Sequence, residues 1–294
     1  MTTQTTDPSQ TLASKLLGAV MHQRLLAFAS LIVLLIVFSL ASPNFMQTSN
    51  MIAILQATSV NGVLAIAATL VIITGGIDLS VGTMMTFCAV MAGVVLTKAG
   101  LPLPLGVVAA IGAGAFCGFC SGTFVSKLKI PPFIATLGMM LILKGLSLVI
   151  SGTRPIYFND TPGFDLISRG SLIGEVLPFL PIPNGVLILF IVAGVVSYIL
   201  SRTVLGRYCF ALGSNEEAVR LSGINVARIK LVVFGTAGLL AGLGGLFHVG
   251  YLQSADPNAG IGLELSAIAA VVIGGTSLAG GKGSVVNTFL GALI

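Results

Sequence analysis

A glycine-rich run near the end of the chain, GGKGS at 280–284, superficially looks like a phosphate-binding loop. A nucleotide-binding loop of that type needs a glycine five residues before its Gly-Lys pair, and Thr276 occupies that position. It also needs Ser or Thr directly after the lysine, where this chain has Gly283. The sequence therefore predicts no ATP site, and we assign no cofactor-binding residue to this chain.

Patterns for catalysis and metal binding are equally weak. Cys117 and Cys120 have the spacing of a redox or metal pair, but no second pair matches them and they lie in an apolar run. We interpret them as packing residues. Because no His or Cys pair has convincing metal-ligand spacing and no nucleophile stands beside a base, we predict no metal site and no catalytic residue. The chain is not expected to be an enzyme.

The elements that would position any site are membrane-spanning helices. Hydrophobic residues make up 55% of the 294 residues, charged residues only 8%, and the mean hydropathy is +1.07. Ordinary soluble domains carry about 25% charged residues. The sequence thus predicts an all-α, multi-pass membrane bundle from 25 to 294, after a cytoplasmic tail at 1–24. The apolar runs predict about nine spans, at 25–41, 51–74, 81–97, 105–126, 132–150, 184–200, 231–251, 264–279 and, incompletely, from 284 onward.

The last of these runs ends at Ile294 after about 11 residues, roughly 16 Å of helix or half a bilayer. We therefore expect that the chain is truncated. The formal charge of +5 does not indicate nucleic-acid binding, because the basic residues are scattered among the loops. With a cytoplasmic N-terminus, only Lys98, Arg154 and Arg169 would fall on the outer side, as the positive-inside rule favours.

Four ionisable residues lie within or beside the apolar runs: Asp78, Lys144, His248 and Glu264. A charge inside a membrane is costly and is by default a functional candidate. Asp78 favours a pathway or gate role, although capping of the next span by Asp78 or Ser80 is the structural alternative. Glu264 is expected to begin a span at its outer end. A proton- or sodium-coupled carrier would need more carboxylates, so the energy for transport should come from another protein.

The longest polar interruption, 201–230, should form a loop on the cytoplasmic side that contains a short helix. Such a helix is not stable alone, so we expect a partner protein to brace it. The candidate contact residues are Ser214, Asn215, Glu216, Glu217, Ala218, Arg220 and Gly223.

Local capping signals define the ends of this helix. Ser214 is the predicted N-cap, and Glu217 three residues later would complete a capping box. Gly223 would supply a left-handed stop. Glu216 lies four residues before Arg220, a spacing that favours a weak ion pair.

Two segments, 73–82 and 273–283, both end an apolar run with paired glycines. Interrupted spans in corresponding halves are a sequence pointer to a transport pathway, and two glycine-rich turns are the plain alternative. The candidate pathway or gate residues are Gly75, Gly76, Asp78, Ser80, Gly274, Gly275, Thr276 and Ser277. Separately, glycines at a four-residue spacing predict close helix packing, namely Gly114, Gly118 and Gly122 in one span and Gly238 and Gly242 in another.

Five stretches of the chain carry specific motifs: GGIDLSVG at 75–82, LGRY at 205–208, ALGSNE at 211–216, RLSGINV at 220–226 and AIAAVVIGGTSLAGGKG at 267–283. The segment 217–224 resembles the Glu-Ala-Ala loop of ABC importer permeases, with Val219 in place of the second Ala. More specifically, the five stretches resemble the ribose-type sugar permeases of ABC importers.

This resemblance implies a permease of the bacterial inner membrane, embedded in lipid and usually a homodimer. It implies a periplasmic sugar-binding protein that delivers substrate and a cytoplasmic ABC ATPase with two nucleotide sites that bind ATP and Mg²⁺. The helix around Glu217 would be the coupling helix. A permease of the same architecture for another small solute, such as a branched-chain amino acid or a nucleoside, stays open, and an ion-coupled secondary carrier is a third possibility.

Overall fold

The computed structural model describes residues 28–158, 161–177, 179 and 181–294. The predicted tail at 1–24 and the first residues of the predicted span 25–41 lie outside them. The helices are α1 Phe28–Ala41, α2 Thr48–Ile73, α3 Val81–Gly93, α4 Leu103–Ser126, α5 Pro132–Ser151, α6 Leu172–Val176, α7 Asn184–Arg202, α8 Val204–Ser214, α9 Glu216–Leu221, α10 Val226–Leu252, α11 Leu263–Ile273 and α12 Val285–Leu293.

The predicted all-α bundle is confirmed, but the predicted count of nine spans is not. Among the described residues, six helices are long and apolar enough to cross a membrane: α2, α3 with its π-helical extension Val94–Lys98, α4, α5, α7 and α10. The helices α1 and α11 are apolar but shorter. Apart from helices, the described residues hold a 3₁₀ turn at Asp165–Ile167 and one two-residue ladder, in which β1 (Ile156–Tyr157) pairs antiparallel with β2 (Ser254–Ala255).

Helices α2 and α10 form the centre of the bundle. Both are apolar on all sides, which is typical of a helix surrounded by other helices. Side chains such as Leu64, Ile66, Phe234 and Phe247 are fully buried there. Most residues of the outer helices α4, α5 and α7 are not buried, as expected of apolar helices that face lipid.

Glycine packing between α4 and α10 is confirmed. The helices run antiparallel, with Gly114 and Gly118 against Gly238 and with Gly122 against the turn around Leu231. A methyl group on Gly118 would overlap the carbonyl oxygen of Phe234. The backbones touch directly because neither helix has a side chain at the crossing.

The predicted span 264–279 is wrong in its length. Helix α11 ends at Ile273, because Gly275 adopts the left-handed conformation (φ +83°) and the chain then runs without helix to Ser284. At 11 residues α11 is roughly 16 Å long, about half the thickness of a bilayer core. Because Gly281 N–H bonds Ile73 O, the segment between α11 and α12 turns at the level where α2 ends.

Candidate functional site

The short helix of the polar interruption is α9, and its N-cap differs from the prediction. Asn215 is the extended residue, and its Oδ1 accepts a hydrogen bond from the Ala218 N–H at 2.9 Å. Ser214 is instead the last residue of α8, a helix that sequence reasoning missed. With Asn215 as N-cap, Glu217 lies one position too early for a capping box.

The C-terminal end of α9 is formed as predicted. Gly223 has a left-handed backbone (φ +79°) and donates its N–H to the Arg220 carbonyl at 3.1 Å. The next amide, Ile224 N–H, bonds the Val219 carbonyl at 3.4 Å. These two bonds form a Schellman motif, which satisfies carbonyls that a helix end otherwise leaves open.

Helix α9 is braced within this chain, whereas the sequence predicts that a partner provides the brace. Val219 of α9 is buried against the bundle, and Glu216 of α9 pairs with Lys230 of α10 at 2.8 Å. The predicted pair of Glu216 with Arg220 is wrong, because Arg220 bonds Glu217 at 3.3 Å. That second pair is mostly exposed, so it contributes little to stability.

The two glycine-paired segments share one backbone geometry. After α2, Gly75 N–H bonds Ile72 O at 2.9 Å and Gly76 N–H bonds Val71 O at 3.1 Å. After α11, Gly275 N–H bonds Val272 O at 2.8 Å and Thr276 N–H bonds Val271 O at 3.1 Å. Both are Schellman motifs with a left-handed glycine, so the two segments are similar in structure as well as in sequence.

The structure brings both glycine-paired segments to the end of α8. Gly281 N–H donates to Ile73 O at 2.9 Å, which ties the second segment to the end of α2. Gly213, one residue before the end of α8, lies so close that a methyl group there would overlap both of these bonded atoms. A methyl group on Gly280 would lie 2.9 Å from the Gly75 backbone. We call the contact among Gly75, Gly213, Gly280 and Gly281 the glycine junction.

Asp78 lies outside this junction, in the irregular link between α2 and α3. The residue is 4% exposed, and its carboxylate accepts hydrogen bonds from the Ser80 N–H at 2.8 Å and the Ser80 hydroxyl at 2.6 Å. Thr136 of α5 supports the same link, because its hydroxyl accepts from Leu79 N–H at 3.1 Å and donates to Ile77 O at 3.2 Å. Asp78 therefore holds the turn before α3, and Ser80 makes no side-chain cap of its own.

The remaining pathway candidates are residues of the second glycine-paired segment. Gly274 packs against the backbone of Asn287 in α12, and the buried Thr276 hydroxyl has no hydrogen-bond partner among the described residues. Ser277 accepts a weak bond from Ala279 N–H at 3.3 Å. These side chains share one segment but do not converge with Asp78 on a common cavity among those found in the described part of the chain.

Glu264 is a buried residue at the start of α11 that lies next to Gly82 of α3. It lies in the first turn of α11, which is too short to be the expected span, and it is 9% exposed. Both of its carboxylate oxygens accept from Gly262 N–H at 3.2 Å. A methyl group on Gly82, in the first turn of α3, would lie 2.6 Å from one of these oxygens. The first turns of α3 and α11 are therefore in contact. No local sequence pattern predicts this long-range contact.

Six helices long enough to span a membrane, with matching glycine breaks after α2 and α11 that both meet α8, are features expected of a membrane transport permease. Residues 50–294 match the family described as branched-chain amino acid transport system / permease component. The chain belongs to this family of multi-pass membrane permeases.

Its relatives include transporters of sugars. The ribose import permease protein RbsC of Escherichia coli K12 is 47% identical over 265 residues, which cover 90% of this chain and 81% of the relative. The protein of the same name from Haemophilus influenzae is 43% identical over 271 residues, covering 91% and 81%. The fructose import permease protein FrcC of Rhizobium meliloti is 37% identical over 254 residues, covering 85% and 69%. No solved structure matches the chain.

Proposed function

We propose that this chain is the membrane-spanning subunit of an ATP-driven importer for a ribose-like monosaccharide. The ribose and fructose import permeases among its relatives support the substrate class. The carboxylates of Asp78 and Glu264 are both engaged by backbone donors of this chain, which disfavours an ion-coupled carrier. No observation favours an amino acid or a nucleoside over a sugar.

In this proposal, α9 is the coupling helix and docks on a cytoplasmic ATPase that holds ATP and Mg²⁺ at its two nucleotide sites. The glycine junction is the main observation that supports this coupling role of α9. Helix α8 leads directly into α9 and touches the ends of both α2 and the segment after α11 through Gly213. A displacement of α9 would thus reach both glycine-paired segments without an intermediate side chain, as a two-state coupling element requires.

The remaining partners follow from the same assignment. A second copy of the chain would complete the pathway, and a periplasmic sugar-binding protein would deliver the substrate. The protein would lie in the bacterial inner membrane with its N-terminus in the cytoplasm, since the end of the bundle with α8 and α9 carries most of the basic residues. The end with β1 and β2 would then face the periplasm.

The test is sugar uptake by proteoliposomes that contain the chain, its ATPase and its binding protein. Ribose uptake that depends on ATP supports the proposal, and uptake of a non-sugar in its place contradicts the substrate. Glu217→Lys and Gly223→Pro should abolish uptake and uncouple ATP hydrolysis while the chain still inserts. Normal transport by both variants would remove the coupling role of α9. Glu217→Gln, which keeps the shape of the side chain, separates charge reversal from a change in packing.

A further inference from the structure

A groove of about 500 Å³ lies beside α9 on the face that carries the polar interruption. One wall is the link between α4 and α5, and the other is α9 with the start of α10. Its volume is that of a site for a ligand or for a few side chains of another protein. The lining residues include Ser126, Lys129, Pro132, Glu216, Arg220 and Lys230.

The groove carries an excess of positive charge. Lys129, Arg220 and Lys230 line it against a single carboxylate, Glu216, which is already paired with Lys230 at 2.8 Å. Lys129 has no ion pair among the described residues, and the pair of Arg220 with Glu217 is open to solvent. Two cationic groups, one on each wall, are therefore available to an acidic partner.

The backbone fixes where Lys129 stands. Its φ of +54° is left-handed, a strained conformation that is uncommon for a residue other than glycine. The following amide, Ile130 N–H, bonds Phe124 O at 3.2 Å and so holds the turn at the end of α4. A glycine would fit this turn more easily, but it would place no charge in the groove.

Each cation has an exposed leucine as its neighbour in the chain, next to the groove but not in its lining. Leu128 precedes Lys129 and is 62% exposed, and Leu221 follows Arg220 and is 80% exposed. Arginine is enriched in protein interfaces, and exposed apolar side chains beside it add surface that a partner can bury. This combination fits the surface of a folded protein that offers both a carboxylate and apolar contacts.

We propose that this groove receives an acidic surface loop of the ATPase subunit, with a carboxylate of that loop between Lys129 and Arg220. This inference rests on the proposed function, because it assumes that an ATPase docks at this face. It adds a second contact to the one made by α9. The link between α4 and α5 would then move with the ATPase, as the coupling helix does.

The experiment measures binding of the purified ATPase subunit to the full chain in lipid nanodiscs. Lys129→Glu should weaken binding about tenfold or more, since it replaces an attraction with a repulsion. Lys127→Glu is the matched control, because Lys127 is exposed in the same link but does not line the groove, and its binding should stay within about twofold of wild type. Lys129→Gly removes the charge but suits the left-handed backbone, so weaker binding by this variant reports the lost charge and not added backbone strain.

Unchanged binding by Lys129→Glu, or an equal loss with Lys127→Glu, overturns the inference. Nanodiscs of phosphatidylcholine alone and with added phosphatidylglycerol identify a lipid occupant, and an effect of Lys129→Glu that requires the anionic lipid also overturns it. Ribose uptake by the wild-type complex separates this inference from the proposed function. If the wild-type complex transports ribose and Lys129→Glu binds normally, only the groove assignment fails, whereas no ATPase binding by wild type overturns both.

Discussion

Gly213→Ala tests the glycine junction with the addition of a single methyl group. The new Cβ would overlap Ile73 O and Gly281 N, the two atoms of the hydrogen bond that joins the ends of α2 and the segment after α11. Its nearest neighbours there are backbone atoms, so no side chain can rotate away. Gly194→Ala in α7 is the control, because a methyl group at Gly194 meets no atom within 4 Å.

The expected cost follows from these contacts. Added methyl groups in well-packed sites destabilise by about 1–3 kcal/mol, and loss of the Gly281–Ile73 hydrogen bond would add roughly 0.5–1.5 kcal/mol. Soluble domains of 150–250 residues lose about 2–4 °C in Tm per kcal/mol. We therefore expect Gly213→Ala to lower the Tm by several degrees, while Gly194→Ala leaves it equal or higher, since Ala favours the helix.

The assay is thermal unfolding of the detergent-solubilised chain, followed by uptake in proteoliposomes at a temperature where both variants are folded. Reduced uptake by Gly213→Ala with normal uptake by Gly194→Ala is the expected result. If Gly213→Ala unfolds at the wild-type temperature and transports normally, the three segments do not share the space that the geometry assigns to them.

Three further outcomes are expected. Gly118→Ala should destabilise the solubilised chain by about 1–3 kcal/mol because its methyl group meets the α10 backbone, whereas Gly112→Ala in the same helix meets nothing within 4 Å and should be neutral in thermal unfolding. Gly223→Ala should destabilise α9 by about 1 kcal/mol through its left-handed backbone, measured as faster hydrogen exchange of the Ile224 amide; unchanged exchange would contradict this. Asp78→Ala should reduce uptake more than the amount of protein in the membrane; if only the protein level falls, Asp78 serves the turn before α3 alone.

Hydropathy predicts the long helices well, because a run of about 20 apolar residues has few other stable arrangements. The bounds of α2, α4 and α5 differ from prediction by three residues or fewer. Hydropathy fails for α11, since the left-handed Gly275 ends the helix at Ile273, six residues before the predicted end at 279. The predicted cap of α9 is wrong by one residue because Ser214 and Asn215 are both good N-caps, and the length of α8 decides between them.

The glycine junction is beyond the reach of sequence reasoning for a different reason. The two glycine-paired segments can be recognised as similar, but the contact of residues 73, 213 and 281 joins positions far apart in the chain. No side chain marks it, because the atoms that touch are those of the backbone. The Glu216–Lys230 ion pair is also not predicted from the sequence. It forms because α10 begins at Val226, five residues before the predicted span, so that Lys230 lies within the helix.

The composition of the glycine junction also has a genetic consequence. Gly75, Gly213 and Gly280 are already the smallest residues possible, so no change at one of them can make room for a methyl group at another. Second-site suppressors of Gly213→Ala therefore have to arise in the packing of α2, α8 or α11, where a smaller side chain could let a whole helix end move. A suppressor screen would thus map which helices can shift relative to one another.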